Sequence, residues 1–172
     1  MTDAASPTAA TIEAWLADLE LGPVDRQERD ALASWDLLLD GRRRFDIRVT
    51  LILDPATAAI AWVHLAPPIG DSFRVSYRRL LRWNDEFPFV KFALTEDDRP
   101  VLTAEVPIER LDRDELGLAI VRVLAVCDLL LEDTAHWAWI GGRIPDWSGR
   151  TSRQEGLFAR YAERLAELTG SR

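Results

Sequence analysis

The sequence has 172 residues, of which 48% are hydrophobic, and this length suits one domain with a sizeable core. The net charge of −8 argues against nucleic-acid binding, because proteins that grip phosphates concentrate positive charge. The single cysteine, Cys127, excludes an internal disulfide, and the lack of a membrane-length apolar run or a basic leader predicts a cytoplasmic protein without membrane contact.

The first predicted element is a short amphipathic helix, because four apolar residues follow the helical spacing i, i+3, i+4, i+7. These residues are Ile12, Trp15, Leu16 and Leu19. Gly22 and Pro23 end the helix. The polar segment 24–31 is predicted to be a connector that leads into a sheet.

Three strands joined by short turns are predicted next, at residues 34–40, 45–53 and 58–66. The second of them alternates apolar residues with mostly polar ones, which is the period of a half-buried strand. The run Arg42–Arg44 lies between the first two strands. It is predicted to be a solvated hairpin tip, and binding of an acidic partner is the alternative.

The third strand is expected to present aromatic and apolar side chains on the outer face of the sheet. If Val63 and Leu65 face the core, the alternate residues of this strand face outward, near Ile52 and Phe89. These outward residues are Ile60, Trp62 and His64. An exposed aromatic patch of this kind is typical of an interface.

A second helix is predicted at Ser72–Glu86 and is stopped by Pro88, since the residue before a proline avoids the helical region. Asn84 lies on the side of this helix that carries Leu80 and Leu81. Its amide needs a partner, because an unpaired buried amide is costly. We expect a hydrogen bond to the helix end or to the adjoining strand that fixes the corner at Pro88, with partner contact as the alternative.

Two further strands are predicted at residues 89–94 and 101–108, around a polar turn. If Phe92 pairs with Ala104, Lys91 lies opposite Glu105 on the outer face of the sheet.

A long helix is predicted at Asp112–Glu132, where Asp112 and Glu115 have the spacing of a capping box. It carries two apolar stripes and therefore needs two covers. The first stripe is Leu116, Ile120, Val123, Cys127 and Leu130. The second stripe is Leu118, Val121, Ala125 and Leu129. The sheet provides one cover, and either the C-terminal helix or a second subunit provides the other.

The element order α-βββ-α-ββ-α, followed by a C-terminal helix, predicts an α+β fold. The sheet is expected to have five strands and to be mostly antiparallel, with helices packed on one face. We expect residues 1–135 to form the α+β domain. Residues 136–172 are expected to form a loop rich in Trp and Gly and an amphipathic helix that packs on the same domain.

The second half of this pattern resembles the YbjN-domain family, whose fold is similar to that of class I type III secretion chaperones. The resemblance is best over residues 72–132. The matching features are Leu80-Leu81-Arg82-Trp83-Asn84, Val90-Lys91-Phe92, Glu96-Asp97-Asp98, the strand from Val101 to Pro107 and the helix from Asp112 to Leu131. The resemblance implies a dimeric, non-enzymatic adaptor or chaperone-like module without a cofactor.

The leading hypothesis is therefore a homodimeric protein-binding module that uses the outer sheet face and the long helix. The predicted partner-binding residues are Ile52, Ile60, Trp62, His64, Phe89, Lys91, Leu118, Val121, Ala125 and Leu129. No catalytic, cofactor or metal site is predicted. The sequence leaves open whether Trp137, Trp139 and Trp147 fold back to cover the outer patch.

The alternative hypothesis is a small hydrolase that uses a carboxylate and His64 on the outer sheet face. It predicts a pocket in which Asp46, His64 or Glu105 converge. No nucleotide-binding glycine motif and no nucleophile-elbow motif supports an enzyme. His64 and His136 lack the spacing of a metal site.

Overall fold

The computed structural model describes residues 7–69 and 74–168. Within these ranges the strands are β1 Asp25–Arg29, β2 Leu32–Leu39, β3 Ile47–Asp54, β4 Ala58–His64, β5 Lys91–Leu94 and β6 Pro100–Pro107. The α-helices in the same ranges are α1 Ala9–Asp18, α2 Arg74–Glu86, α3 Arg113–Leu129, α4 Leu131–Ala138, α5 Glu155–Arg160 and α6 Ala162–Leu165. The predicted start of the second helix at Ser72 lies outside the described residues.

The strands form one sheet in the order β1-β2-β3-β4-β6-β5, and each neighbouring pair is antiparallel. The predicted α+β class is confirmed, whereas the predicted count of five strands is wrong. The additional strand is β1, which lies in the segment predicted to be a connector. Its five residues are all exposed, so it has no apolar alternation and is held at the sheet edge by backbone pairing with β2.

Helix α3 packs across the inner face of the sheet, against β4 and β6, while α1, α4, α5 and α6 pack on α3. Asp112 caps α3 as predicted, since its Oδ1 accepts the Glu115 N–H at 2.8 Å. The helix ends earlier than expected, because Leu130 leaves the helical conformation and a separate helix, α4, follows. Ile120 and Val123 are fully buried beneath these neighbours.

The second stripe of α3 is covered by the same chain. Leu118 is 1% exposed and Val121 is fully buried, so the prediction that they lie on a partner-binding surface does not hold for the single subunit. Ala125 and Leu129 are only half-buried. Among the elements that pack on α3 are the C-terminal helices, which place Phe158 and other apolar side chains in the core cluster.

Tyr161, between α5 and α6, lies closely against α3. Its hydroxyl donates to Asp114 Oδ1 at 3.0 Å, and a Cβ at Gly117 would come within 2.5 Å of the tyrosine oxygen. Burial and the bond to Asp114 raise the pKa of Tyr161 to about 12. A glycine inside a helix ordinarily lowers its stability, and the close approach of Tyr161 explains why α3 carries one at this position.

The core-facing side of helix α2 matches the prediction only in part. Leu80 is buried as predicted, whereas Leu81 is 70% exposed and Trp83 and the following Phe87 are buried. The Trp83 ring lies 5.6 Å from the ring of Trp137. Trp137 therefore belongs to the core beneath α2.

Candidate functional site

The outer face of the sheet carries an apolar strip along its centre. Ile52 on β3 pairs with Ile60 on β4, and both are half-buried. Trp62 lies between Thr50 and Thr103 on the neighbouring strands and is also half-buried. These three apolar residues, Ile52, Ile60 and Trp62, are named the outer strip below.

His64 extends the outer strip towards one end of the sheet. It is exposed, and its ring lies 6.0 Å from the Trp62 ring in an edge-to-face arrangement. The alternation predicted for β4 is confirmed, since Val63 and Leu65 are each 1% exposed while the residues between them face outward. The outer strip and His64 thus share one accessible surface.

Lys91 lies on the outer face, but its register differs from the prediction. It pairs with Thr103, because Phe92 pairs with Leu102 instead of Ala104. Its ammonium group still reaches Glu105 Oε2 diagonally at 3.6 Å. Both side chains are largely exposed, and an ion pair of this kind contributes little to stability.

Phe89 is exposed at the edge of the sheet, and its ring also contacts helix α3. Its backbone is left-handed, with φ of 68°, and its ring lies 3.9 Å from the guanidinium carbon of Arg122 on α3. Arg122 is on the helix side of the sheet and is 6% exposed. Phe89 therefore covers a buried cation at the sheet edge, where it also lines a shallow pocket with Lys91 and Glu105.

Asn84 bonds to the adjoining strand, as the first of its two predicted alternatives proposes. Its amide donates to the Phe92 carbonyl at 3.0 Å, and its Oδ1 accepts the Phe92 N–H at 2.7 Å. Strand β5 is at the edge of the sheet, so these backbone groups point away from β6. The side chain of Asn84 takes the place of a neighbouring strand and fixes the corner at Pro88.

Asn84→Ala is expected to lower the free energy of unfolding by about 1–3 kcal/mol, since two partly buried hydrogen bonds are lost. It should also promote concentration-dependent self-association, because the freed groups of Phe92 form an open strand edge. Urea unfolding and light scattering measure the two effects. The control is Arg82→Ala on the exposed side of α2, and equal behaviour of the two variants would contradict this role of Asn84.

The loop between β2 and β3 is held from below by Asp128 of α3. The carboxyl oxygens of Asp128 accept the backbone N–H groups of Arg42 at 2.6 Å, Arg43 at 2.9 Å and Arg44 at 2.8 Å. Asp128 is 6% exposed, and burial raises its pKa against the effect of these bonds. The prediction that Arg42–Arg44 form a solvated hairpin tip therefore holds for the exposed side chains of Arg42 and Arg43, whereas Arg44 is buried.

A second buried acid, Asp40, joins this loop to the C-terminal segment. Its carboxylate accepts two bonds from the Arg153 side chain, at 2.7 and 2.8 Å, and the N–H of Asp46 at 3.0 Å. Its own N–H donates to Gln154 Oε1 at 2.6 Å. Burial acts to raise the pKa of Asp40, but the bonds from Arg153 and Asp46 outweigh it and lower the pKa to about 2.

The stabilising effect of Asp40 is expected to disappear in acid. Its folded pKa of about 2 is below the ordinary value of 3.8, so its contribution is complete above the ordinary value and is lost as the pH falls towards 2. The difference in unfolding free energy between the wild type and Asp40→Asn should therefore narrow over this range. Urea unfolding at several pH values measures it. A difference that stays constant down to pH 2 would contradict the assignment.

A cleft of about 540 Å³ lies at the end of the sheet, beside His64. It is named the aromatic cleft below, and its principal lining residues are Arg44, Phe45, Asp46, His64, Trp139 and Trp147. The Trp147 ring lies 5.6 Å from Phe45 and 5.8 Å from Trp139. Trp139 and Trp147 thus fold back to the end of the sheet, next to the outer strip, whereas Trp137 is in the core.

The geometry of the cleft is unfavourable to the hydrolase hypothesis. Asp46 and His64 both line it, but the carboxylate of Asp46 is bound by Arg150 at 2.6 Å and by Arg153 at 3.3 Å. The bond from Arg150 lowers the pKa of Asp46, which weakens it as a base. Glu105 pairs with Lys91 elsewhere on the sheet. In the described ranges, no group of three or more His, Cys, Asp or Glu side chains could hold a metal ion.

A family model described as "YbjN: Putative bacterial sensory transduction regulator" matches residues 8–133, which is most of the chain. The chain belongs to the YbjN family. The predicted YbjN resemblance is confirmed, both over residues 72–132, where it is best, and over residues 10–66, where it is weaker. The likeness of this YbjN fold to secretion chaperones stays a prediction.

The C-terminal segment of this YbjN protein, from residue 134, lies outside the family match, although it supplies Arg150 and Arg153 to the loop and Phe158 to the core. None of the curated proteins compared with the chain matches it. Among the described residues, no helix combines the length and the apolarity that crossing a membrane requires.

Three residues of this YbjN protein were missed by sequence reasoning, namely Asp40, Arg44 and Asp128. Each looks like an ordinary turn or helix residue, and its partners are distant in the sequence. Asp128 contacts a loop 84 to 86 residues away, and Asp40 contacts Arg153 over 113 residues. The one available signal was Asp128 itself, a polar residue within an apolar helix.

Proposed function

We propose that this YbjN protein is a non-catalytic regulatory adaptor that binds another protein through the outer strip and acts as a homodimer. The observation that carries the proposal is the row of Ile52, Ile60 and Trp62, which stays accessible on a sheet whose other face is fully covered. Apolar and aromatic side chains at the centre of a patch supply most of the binding energy of protein interfaces. The family description as a regulator supports the same class of function.

The polar residues around the outer strip suit an adaptor. Thr50 and Thr103 flank Trp62, while Lys91 and Glu105 lie towards the β5 edge. An apolar centre with a polar rim fits a partner segment that is extended or helical and apolar along one side. A chaperone-like role is the finer version of this proposal.

The test compares the wild type with Ile60→Arg. Ile60 is half-buried on the outer face, so the charge should leave the core intact while it prevents close packing on the outer strip. We expect both proteins to be dimers in light scattering with the same melting temperature, because the outer strip is assigned to the partner and not to the dimer interface. The matched control is Gln27→Arg on the exposed strand β1, which should still dimerise. A wild type that is monomeric at every concentration would contradict the dimer.

The partner arm of the test uses proteins that copurify with the wild type. Each candidate is purified and then titrated against the wild type, Ile60→Arg and Gln27→Arg. We expect binding to be lost only in Ile60→Arg. A candidate that binds all three proteins equally does not use the outer strip. If every copurifying protein behaved in this way, the proposed binding surface would be contradicted.

The hydrolase remains a second candidate because Asp46 and His64 line one cleft. A hydrolase would cleave an activated ester or phosphoester, and His64→Gln would abolish this activity. On the non-catalytic proposal, we expect the wild type and His64→Gln to show the same rate of hydrolysis with both substrates. A rate that depends on His64 would overturn the non-catalytic proposal.

A further inference from the structure

We propose that the aromatic cleft binds a small molecule that carries a carboxylate on a flat apolar body, and that Arg44 is its anchoring cation. This site is separate from the protein-binding outer strip, although His64 adjoins both. The site combines one buried cation, Arg44, with aromatic walls.

Arg44 is a buried cation that lacks a counter-charge in the described part of the chain. It is 9% exposed, and its Nη2 donates to the Leu65 carbonyl at 3.2 Å. Among residues 7–69 and 74–168, its Nη1 has no hydrogen-bond partner and no carboxylate forms an ion pair with it. A desolvated charge is costly unless it is paired, so an anion in the adjacent cleft would provide the negative charge that the guanidinium of Arg44 lacks among the described residues.

The charges next to Arg44 favour an anion. Asp46 is the acid that lines the cleft, and Arg150 and Arg153 already bind its carboxylate. Arg99 adds a second cation at the lining, where its own partner, Asp97, is exposed to solvent. Since Asp97 pairs with Arg99, and Asp40 and Asp46 pair with Arg150 and Arg153, Arg44 is the cation of the cleft lining that has no acidic partner among the described residues.

The walls of the cleft favour a flat apolar body behind the carboxylate. Phe45, Trp139 and Trp147 stand around it with ring centroids 5.6 and 5.8 Å apart. The volume of about 540 Å³ falls within the range of small-molecule sites, roughly 300–1,000 Å³. A few polar groups within aromatic walls are typical of such sites.

The indole of Trp139 is the side chain that must respond to the ligand. Its ring lies over the guanidinium of Arg44, 5.2 Å from the guanidinium carbon, and Nη1 of that guanidinium is buried. It precedes Gly141 and Gly142, both with left-handed φ near 66° and 69°, in an exposed turn. A carboxylate that bonds to Nη1 would displace the ring, so the indole N–H signal of Trp139 should shift on binding.

The test titrates the full-length protein with 1-naphthoate and with the neutral isostere 1-naphthamide. Calorimetry measures affinity, and NMR follows the indole signals, which Trp139→Phe and Trp147→Phe assign. We expect naphthoate to bind at least about tenfold more tightly than naphthamide, because only the acid forms a charge-assisted bond. The signals of Trp139 and Trp147 should shift, and that of the core residue Trp137 should not.

Two variants separate the anchoring role from folding. Arg44→Gln should reduce naphthoate affinity by at least about tenfold and leave naphthamide binding unchanged. Since Arg44 also bonds to Leu65, Arg99→Gln at the exposed rim provides a second variant that keeps the fold, with a smaller loss expected. Arg29→Gln on β1 is the matched control, because Arg29 is an exposed arginine that does not line the cleft.

Equal affinities for the acid and the amide would overturn the anchoring role of Arg44, as would a wild-type affinity in both folded arginine variants. The small-molecule site would be overturned if the indole NMR signals of Trp139 and Trp147 did not shift, or if the protein bound acidic peptides but not naphthoate. These measurements need no protein partner. Their failure would therefore leave the outer-strip proposal standing, and failure of that proposal would leave this one standing.

Discussion

Asp128→Ala is expected to lower the free energy of unfolding by at least about 3 kcal/mol, since each buried donor left unpaired costs about 1–3 kcal/mol. Three backbone N–H groups of the loop between β2 and β3 lose their acceptor together. The loop should then detach from α3, which would also disturb Arg44 in the aromatic cleft. Urea unfolding measures the loss of stability.

Two variants control for the effect of Asp128→Ala. Asp128→Asn keeps one side-chain oxygen as an acceptor and should lose less stability than the alanine variant. Glu132→Ala removes an exposed acid that pairs with Arg43 in the same region and should change stability by less than about 0.5 kcal/mol. An Asp128→Ala protein as stable as Glu132→Ala would contradict the structural role of the buried carboxylate.

Gly41→Ala provides an independent check on the same contact. A Cβ at Gly41 would lie 2.7 Å from Cγ of Asp128, closer than a side chain tolerates, so the single variant should be destabilised. In the Asp128→Ala background this clash is absent, and the second substitution should cost much less. A double-mutant cycle that is simply additive would show that the two residues do not meet.

Phe158→Ala is expected to lower the free energy of unfolding by about 3–5 kcal/mol, the usual loss when a buried aromatic ring is truncated. Phe158 is 2% exposed and belongs to the core cluster, although it lies beyond the end of the family match. Its removal opens a cavity beneath α5, which packs on α3. Thermal and urea unfolding measure the loss.

The matched control for Phe158→Ala is Ile140→Ala. Ile140 is 99% exposed, so the truncation removes apolar atoms without opening a cavity, and stability should change by less than about 0.5 kcal/mol. Similar stabilities of the two variants would mean that the C-terminal segment adds nothing to the core. A large effect at Phe158 alone would show that the protein needs a segment outside the family pattern.

Local periodicity predicted those parts of the fold in which apolar alternation is strong. Strand β3 is the clearest case, since its inward residues from Ile47 to Leu53 are buried and its outward residues are not. Strand β1 was missed because every side chain in Asp25–Arg29 is exposed, and an edge strand of that kind is specified by the backbone of its neighbour. Leu81 was wrongly predicted to face the core. The buried face consists of Leu80, Trp83 and Phe87, which are spaced i, i+3 and i+7.

The candidate sites divide according to distance along the chain. The bond of Asn84 to the adjoining strand was predictable, since Phe92 is eight residues away across a turn. The register of Lys91 was off by two residues, because alternation fixes the face of a strand and leaves shifts of two undetermined. The aromatic cleft was not predictable, because Arg44, His64 and Trp139 meet only through the folded sheet and the C-terminal loop.

The pairing of Asp40 with Arg153 has a consequence for synthesis of the protein on the ribosome. The two residues are 113 positions apart, so Asp40 leaves the ribosome long before Arg153 can neutralise its carboxylate. Contacts of such long range slow folding, because the intervening chain must be ordered first. A nascent chain that stops before residue 153 would therefore lack the Arg153 partner of Asp40 and the packing of α5 and α6 on α3, and we expect it to engage chaperones until translation reaches the final helices.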